Sequence, residues 1–149
     1  FKHTPHRIRV DIPPGIVIDS YPGPLGQVIT NLALNSLLHG FSDQMPGEIL
    51  LSAAVSADDG IRLRVSDNGC GIPREHLARI FDPFFTTRLG QGGSGLGLHI
   101  VFNIVTVTLG GEIHVDSAPG AGTVFDIDLP RVVPTAGAAK RVEDVAAIR

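Results

Sequence analysis

Between Asp67 and Leu98 the chain carries two glycine clusters, Asp67-Asn68-Gly69-Cys70-Gly71-Ile72-Pro73 and Gly90-Gln91-Gly92-Gly93-Ser94-Gly95-Leu96-Gly97-Leu98. They flank an aromatic segment, Phe81-Asp82-Pro83-Phe84-Phe85-Thr86-Thr87. Glycines so placed let the backbone come close to something flat and something phosphorylated. The stretch reads as a nucleotide pocket with a mobile lid, and the rest of the chain as the frame that holds the pocket open.

The frame has 149 residues, 43% hydrophobic and 18% charged, which suits one soluble domain with a sizeable core and leaves no room for a second. A formal charge of −3, with no run of Lys and Arg, argues against nucleic acid as a partner. Cys70 is the only cysteine, and no Cys/His cluster has metal-ligand spacing. A reducing compartment is therefore the simple assumption, and zinc is not expected. No apolar run approaches the roughly 18 residues of a spanning helix, so direct membrane insertion is not expected either.

Arg7 to Val10 and Ile16 to Asp19 are β-branched runs separated by Pro13-Pro14-Gly15, predicting two strands joined by a turn. Leu25, Val28, Ile29 and Leu32 recur at helical spacing, with Gly40 as a stop. Asn31 and Asn35 point within about 40° of each other beside that apolar stripe. They are either solvated positions or a functional pair, since Asn is a poor helix former. Glu48 to Ser56 and Ile61 to Ser66 read as a hairpin around Asp58-Asp59-Gly60, with Asp67 continuing on the apolar side of the second strand. Pro73 to Ile80 predicts a short helix. Leu98 to Leu109 predicts a longer one, with Leu98, Val101, Phe102, Val105 and Leu109 on one face and Gly110-Gly111 ending it. Glu112 to Ser117 and Thr123 to Leu129 read as two last strands, and the parity of Thr123 with Phe125, Ile127 and Leu129 turns its hydroxyl inward.

An anionic Asp67 accepts hydrogen bonds only, which matches the exocyclic amine of a buried adenine, and Thr123 can bridge the same ring. Equally, Asp67 can open an Asx turn over Asn68-Gly69. Amide oxygens from Asn31 and Asn35 suit Mg²⁺, which takes hard oxygen ligands beside substrate phosphates. The second glycine cluster runs into a helix, where free N–H groups favour phosphate. Gly90, Gly92 and Gly95 also spell G-x-G-x-x-G, but a dinucleotide turn needs a buried strand just before it, and Pro83, Thr86, Thr87 and Arg88 precede these glycines. No G-x-x-x-x-G-K-[ST] is present.

Taken in order, the motifs resemble the ATP-binding domain of sensor histidine kinases, in the superfamily shared by type II topoisomerases, heat-shock chaperones and mismatch-repair ATPases. Asn31-Leu32-Ala33-Leu34-Asn35 resembles its N box, and Asp67 to Ile72 its first glycine box. Phe81-Asp82-Pro83-Phe84-Phe85 resembles the F box, and Gly93-Ser94-Gly95-Leu96-Gly97-Leu98 the second glycine box. The likeness spans about Gly23 to Leu129. It implies an α+β fold, a two-layer α/β sandwich (the Bergerat ATP-binding fold), with a mixed, mostly antiparallel sheet, helices on one face and a flexible ATP lid from about Thr86 to Gly93. Residues 1–22 would be N-terminal strands, 23–130 the ATP-binding core and 131–149 a linker or tail.

By the same resemblance Asp67 recognises adenine, Asn35 with Asn31 ligates magnesium, and Gly69 and Gly71 allow close backbone approach. Gly95, Leu96, Gly97 and Leu98 contact phosphate, and Thr123 matches the threonine of the closing Gly-Thr-x-Phe segment. The remaining ATP-contact positions it implies are His39, Ile72, Phe85, Thr86, Thr87, Gly93 and Ser94. Many such kinases carry a basic residue where this chain has Leu38, which leaves His39 or Arg88 to supply the positive contact. The cofactors implied are ATP and Mg²⁺. The implied partners are a histidine-bearing dimerisation domain of the parent protein and a downstream response regulator, in the cytoplasm. The implied activity is that of a histidine protein kinase whose acceptor histidine lies elsewhere. The alternatives are a degenerate, non-catalytic nucleotide-binding module and an anti-sigma-type serine kinase.

Overall fold

The computed structural model describes residues 6–37, 47–85 and 96–133. Five strands, β1 (Arg7–Asp11), β2 (Glu48–Val55), β3 (Ile61–Asp67), β4 (Glu112–Ser117) and β5 (Thr123–Leu129), form one sheet in the order β1-β2-β3-β5-β4. The β1–β2 pair is parallel and the others are antiparallel. Helices α1 (Pro22–Asn35), α2 (Arg74–Leu77) and α3 (Gly97–Asn103) accompany it, and a wider π-helical turn, Ile104–Thr108, extends α3.

Alternation makes the sheet two-faced. In β3, Ile61, Leu63 and Val65 are buried while Arg62 and Arg64 are exposed, and in β5 Thr123, Phe125, Ile127 and Leu129 are buried. The inward residues pack on Val28 and Leu32 of α1, Val101 of α3, Val105 and Leu109, giving one continuous core. On the opposite face, Arg62 and Arg64 make bidentate bonds to Asp128 and Asp126 across the β3–β5 pair, with Nε–Oδ1 distances of 2.7 Å each. These bonds raise both guanidinium pKa values above the ordinary one. The pairs are partly exposed and pin register more than they add stability.

Three elements differ from the sequence reading. Ile16 to Asp19 is not a strand: Asp19 makes only an isolated parallel bridge with Val132, and β1 pairs with β2 instead. One bridge cannot propagate here because Ile16 to Ile18 find no ladder partner, whereas Arg7 to Asp11 meet Glu48 to Ser52 residue by residue. Through Asp19, residues 131–133 stay on the fold, with Asp19 N–H donating to the Arg131 carbonyl at 2.8 Å and Val133 N–H to the Asp19 carbonyl at 2.8 Å.

The short helix after Pro73 ends at Leu77. The longer helix is not regular to its end. Ile104, Val105, Thr106, Val107 and Thr108 are all β-branched and crowd an α-turn, and Leu109 N–H reaches back five residues to the Ile104 carbonyl at 2.8 Å. Phe102, expected on the core face, is 39% exposed and packs its ring against that of Phe81 at a tilt of 38°, with centroids 5.5 Å apart.

Candidate nucleotide site

The candidate site lies where α1 ends, β3 ends and α3 begins. Asp67 closes β3 on the same side as Ile61, Leu63 and Val65, directly opposite Thr123. Its carboxylate accepts two hydrogen bonds, from the Gly69 N–H to Oδ1 at 2.9 Å and from the Ser36 hydroxyl to Oδ2 at 2.7 Å. The Asx turn and the inward carboxylate thus coexist. Each oxygen keeps a second lone pair, so the turn does not use up the acceptor edge.

Ser36 was not singled out in the sequence. The signal was available: it sits four residues after Leu32, where the apolar stripe of α1 calls for another hydrophobic side chain, and it is 2% exposed. A polar group at a core position needs a partner, and Asp67 is that partner.

Thr123 is 5% exposed and its hydroxyl lies 2.9 Å from that of Ser117. Ser117 also donates to the Gly122 carbonyl and accepts from the Ile72 N–H, each at 2.8 Å. This serine, also unforeseen, ties the first glycine cluster to the β4–β5 loop. At Gly71 the backbone comes close to protein. With φ at +78°, a Cβ at Gly71 would land on the Ala118 carbonyl oxygen, and at Gly122, with φ at +77°, on that of Asp67. The two loops are pressed together beneath Asp67.

Asn31 and Asn35 are half-buried beside the fully buried Val28 and Leu32. The Asn31 amide nitrogen lies 3.4 Å from the Gly97 carbonyl, joining the N box to the first turn of α3. With its N–H so directed, the Asn31 oxygen is available to a cation, and the Asn35 side chain makes no hydrogen bond among the described residues. Two neutral, hard oxygens one turn apart fit magnesium. Ile72 and Leu98 are half-buried against the core. Phe85 packs beside α2, with its ring 5.3 Å from that of His76 and under the Arg79 guanidinium at 4.6 Å. The expected contacts at His39, Thr86, Thr87, Gly93, Ser94 and Gly95, the expected lid, Gly40 and Leu38 lie outside the described residues. Cys70 is exposed. An open depression of about 750 Å³ at the other end of the sheet is lined by residues such as Arg62, Asp128, Arg131 and Asp59, whose charges already pair with one another.

Residues 21–133 match the family described as Histidine kinase-, DNA gyrase B-, and HSP90-like ATPase. The chain belongs to this family. Among its relatives, the sensor kinase CckA of Brucella abortus is 39% identical over 145 residues, a match covering 81% of this chain and 15% of CckA. The sensor histidine kinase ZraS of Salmonella typhi is 42% identical over 113 residues, covering 76% and 23%. The chain therefore spans less than a quarter of these relatives. Among solved structures, the nucleotide-free catalytic domain of histidine kinase ThkA aligns with a TM-score of 0.69 at 27% identity, covering 87% of this chain and 81% of that one. Full-length ShkA, solved in complex with AMPPNP, aligns at 0.63 and 29%, covering 83% and 25%. By sequence and by fold the chain is a histidine-kinase-type ATPase domain, with a mixed five-stranded sheet and helices as the family likeness implied.

Proposed function

We propose that this chain holds Mg-ATP for transfer of the γ-phosphoryl group to a histidine on a separate dimerisation domain of its parent, which in turn serves a response regulator on the cytoplasmic side. The arrangement along α1 supports this reading: the Ser36–Asp67 bond, the Asp67–Thr123 pairing and the Asn31–Gly97 contact bring an inward carboxylate, a pair of amides and the start of α3 together. The AMPPNP complex of ShkA, similar over 83% of this chain, supports an adenine nucleotide as the occupant.

In this reading Asp67 accepts the purine amine and Thr123 its neighbouring edge. The first turn of α3 offers N–H groups to the phosphates. Asn31 and Asn35 would hold magnesium, which neutralises charge on the β- and γ-phosphates when bound. An imidazole nitrogen of the acceptor attacks the γ-phosphorus, the bond to the bridging oxygen breaks, and ADP leaves. Asn31 is an amide and takes no proton from water, so transfer is favoured over hydrolysis.

The histidines among the described residues suit packing or surface roles. Among the described residues, His6 Nδ1 accepts from the Gly47 N–H, His99 bonds the Phe81 carbonyl, and His114 lies between Glu112 and Asp128. Incubated with γ-labelled ATP, the chain is expected to carry no acid-labile phosphate of its own and to label an added matching acceptor domain. Acid-labile label on the chain itself overturns the first half, and an unlabelled acceptor favours the non-catalytic module. Asn35→Ala is expected to raise the magnesium concentration needed for half-maximal ATP binding at least about tenfold, since losing even a hydrogen-bonded partner of a metal ligand costs that much. A magnesium titration that overlays the parent's removes Asn35 from the metal site.

A further inference from the structure

The Ser36–Asp67 bond has a feature that its length alone does not convey. A serine in the last turn of a helix ordinarily back-bonds to the carbonyl one turn earlier, as Thr106 does to Phe102 at 2.8 Å in this same chain. Ser36 does not. Its hydroxyl crosses to Oδ2 of Asp67 at 2.7 Å, at a position 2% exposed. That hydroxyl is thus too buried to meet a ligand itself, and it acts only through the acid.

The two donors on Asp67 come from different elements, Gly69 N–H from its own turn and Ser36 O–H from α1. One bond to one oxygen leaves a carboxylate free to swing, whereas one bond to each oxygen fixes its plane. Both partners donate, so the acid is held as a pure acceptor, aligned for a ligand donor and opposed to a ligand carbonyl. Helix α1 also carries Asn31 and Asn35, and Ser36 directly follows Asn35 in the chain.

We propose that Ser36 is a positioning residue that orients Asp67 and thereby sets selectivity for amino-purine over oxo-purine nucleotides. This rests on the reading of Asp67 as the base-recognition group. Calorimetric titration of the parent, Ser36→Ala and Ser36→Cys with Mg-ATP and Mg-ITP tests it, cysteine keeping the volume while donating poorly. Both variants are expected to bind Mg-ATP about tenfold more weakly, the scale of a lost charge-assisted hydrogen bond, while Mg-ITP changes less than about twofold. The preference for the amino-purine then shrinks. If Ser36→Ala does not fold, Ser36→Cys supplies the comparison. ATP affinity within about twofold of the parent, or equal losses for both nucleotides, overturns the inference while leaving the nucleotide site standing. A parent that binds neither nucleotide overturns the underlying reading and this inference with it.

Discussion

Asp67→Asn is expected to weaken Mg-ATP binding by about 1–3 kcal/mol, roughly 5- to 150-fold in Kd, while the domain stays folded. The geometry makes this substitution unusually clean. Gly69 N–H can only donate, so the amide oxygen must stay where Oδ1 is, 2.9 Å away. The amide nitrogen then takes the place of Oδ2 beside Ser36, whose hydroxyl rotates to accept instead of donate. Both internal bonds survive in neutral form, and the cost to folding stays small. A purine amine fares worse: the negative charge is gone and half of the acceptor edge has become a donor. Calorimetry on the folded variant, checked by its thermal midpoint, measures the effect. A Kd within about twofold of the parent's takes Asp67 out of the pocket.

Asp67 closes a turn and faces inward at once, and both features were legible in the sequence. Parity alone turned Asp67 and Thr123 inward, and the structure pairs them across β3 and β5. Helical spacing alone put Asn31 and Asn35 beside the core stripe, and they are half-buried there. Periodicity works at these positions because one face of each element is fully buried, so a shift of register would expose Val28, Leu32 or Val65. The β4–β5 strands, Glu112–Ser117 and Thr123–Leu129, were legible to the residue from their alternation, with one face buried in β5 and half-buried in β4.

What was missed depends on partners far away in the chain. Ser36 and Ser117 look like ordinary helix and strand residues until Asp67 and Ile72, 31 and 45 positions away, are brought to them. Ile16 to Asp19 has the composition of a strand but makes only the single Asp19–Val132 bridge, and β1 takes the edge of β2. Local propensity does not report which edges are occupied. The π-helical turn at Ile104–Thr108 is a third case. Its β-branched run was visible, but the widening also lets Val105 and Leu109 both reach the core, where they are 0% and 1% exposed.

Gly122→Ala is expected to be, with Gly71→Ala, among the most damaging single-methyl changes in the site, because both strike the seam between the two loops. Gly120 provides the control within the same turn. Both glycines have φ near +80°, at +79° and +77°, so both substitutions incur the left-handed backbone cost of about 1 kcal/mol. A Cβ at Gly120 meets nothing within 4 Å, whereas at Gly122 it lands on the Asp67 carbonyl oxygen and within 3.2 Å of the Asn68 Cα. Backbone atoms cannot rotate out of the way as a flexible side chain does, so Gly122→Ala adds a packing term of about 1–3 kcal/mol. The expected thermal midpoint falls by roughly 10 °C for Gly122→Ala and by less than half of that for Gly120→Ala. Any relaxation must move the Asp67 backbone, so nucleotide affinity falls with it even at temperatures where the variant is fully folded. Equal midpoints for the two alanine variants show that the seam yields freely, and ATP affinity unchanged in folded Gly122→Ala shows that it does not support the acid.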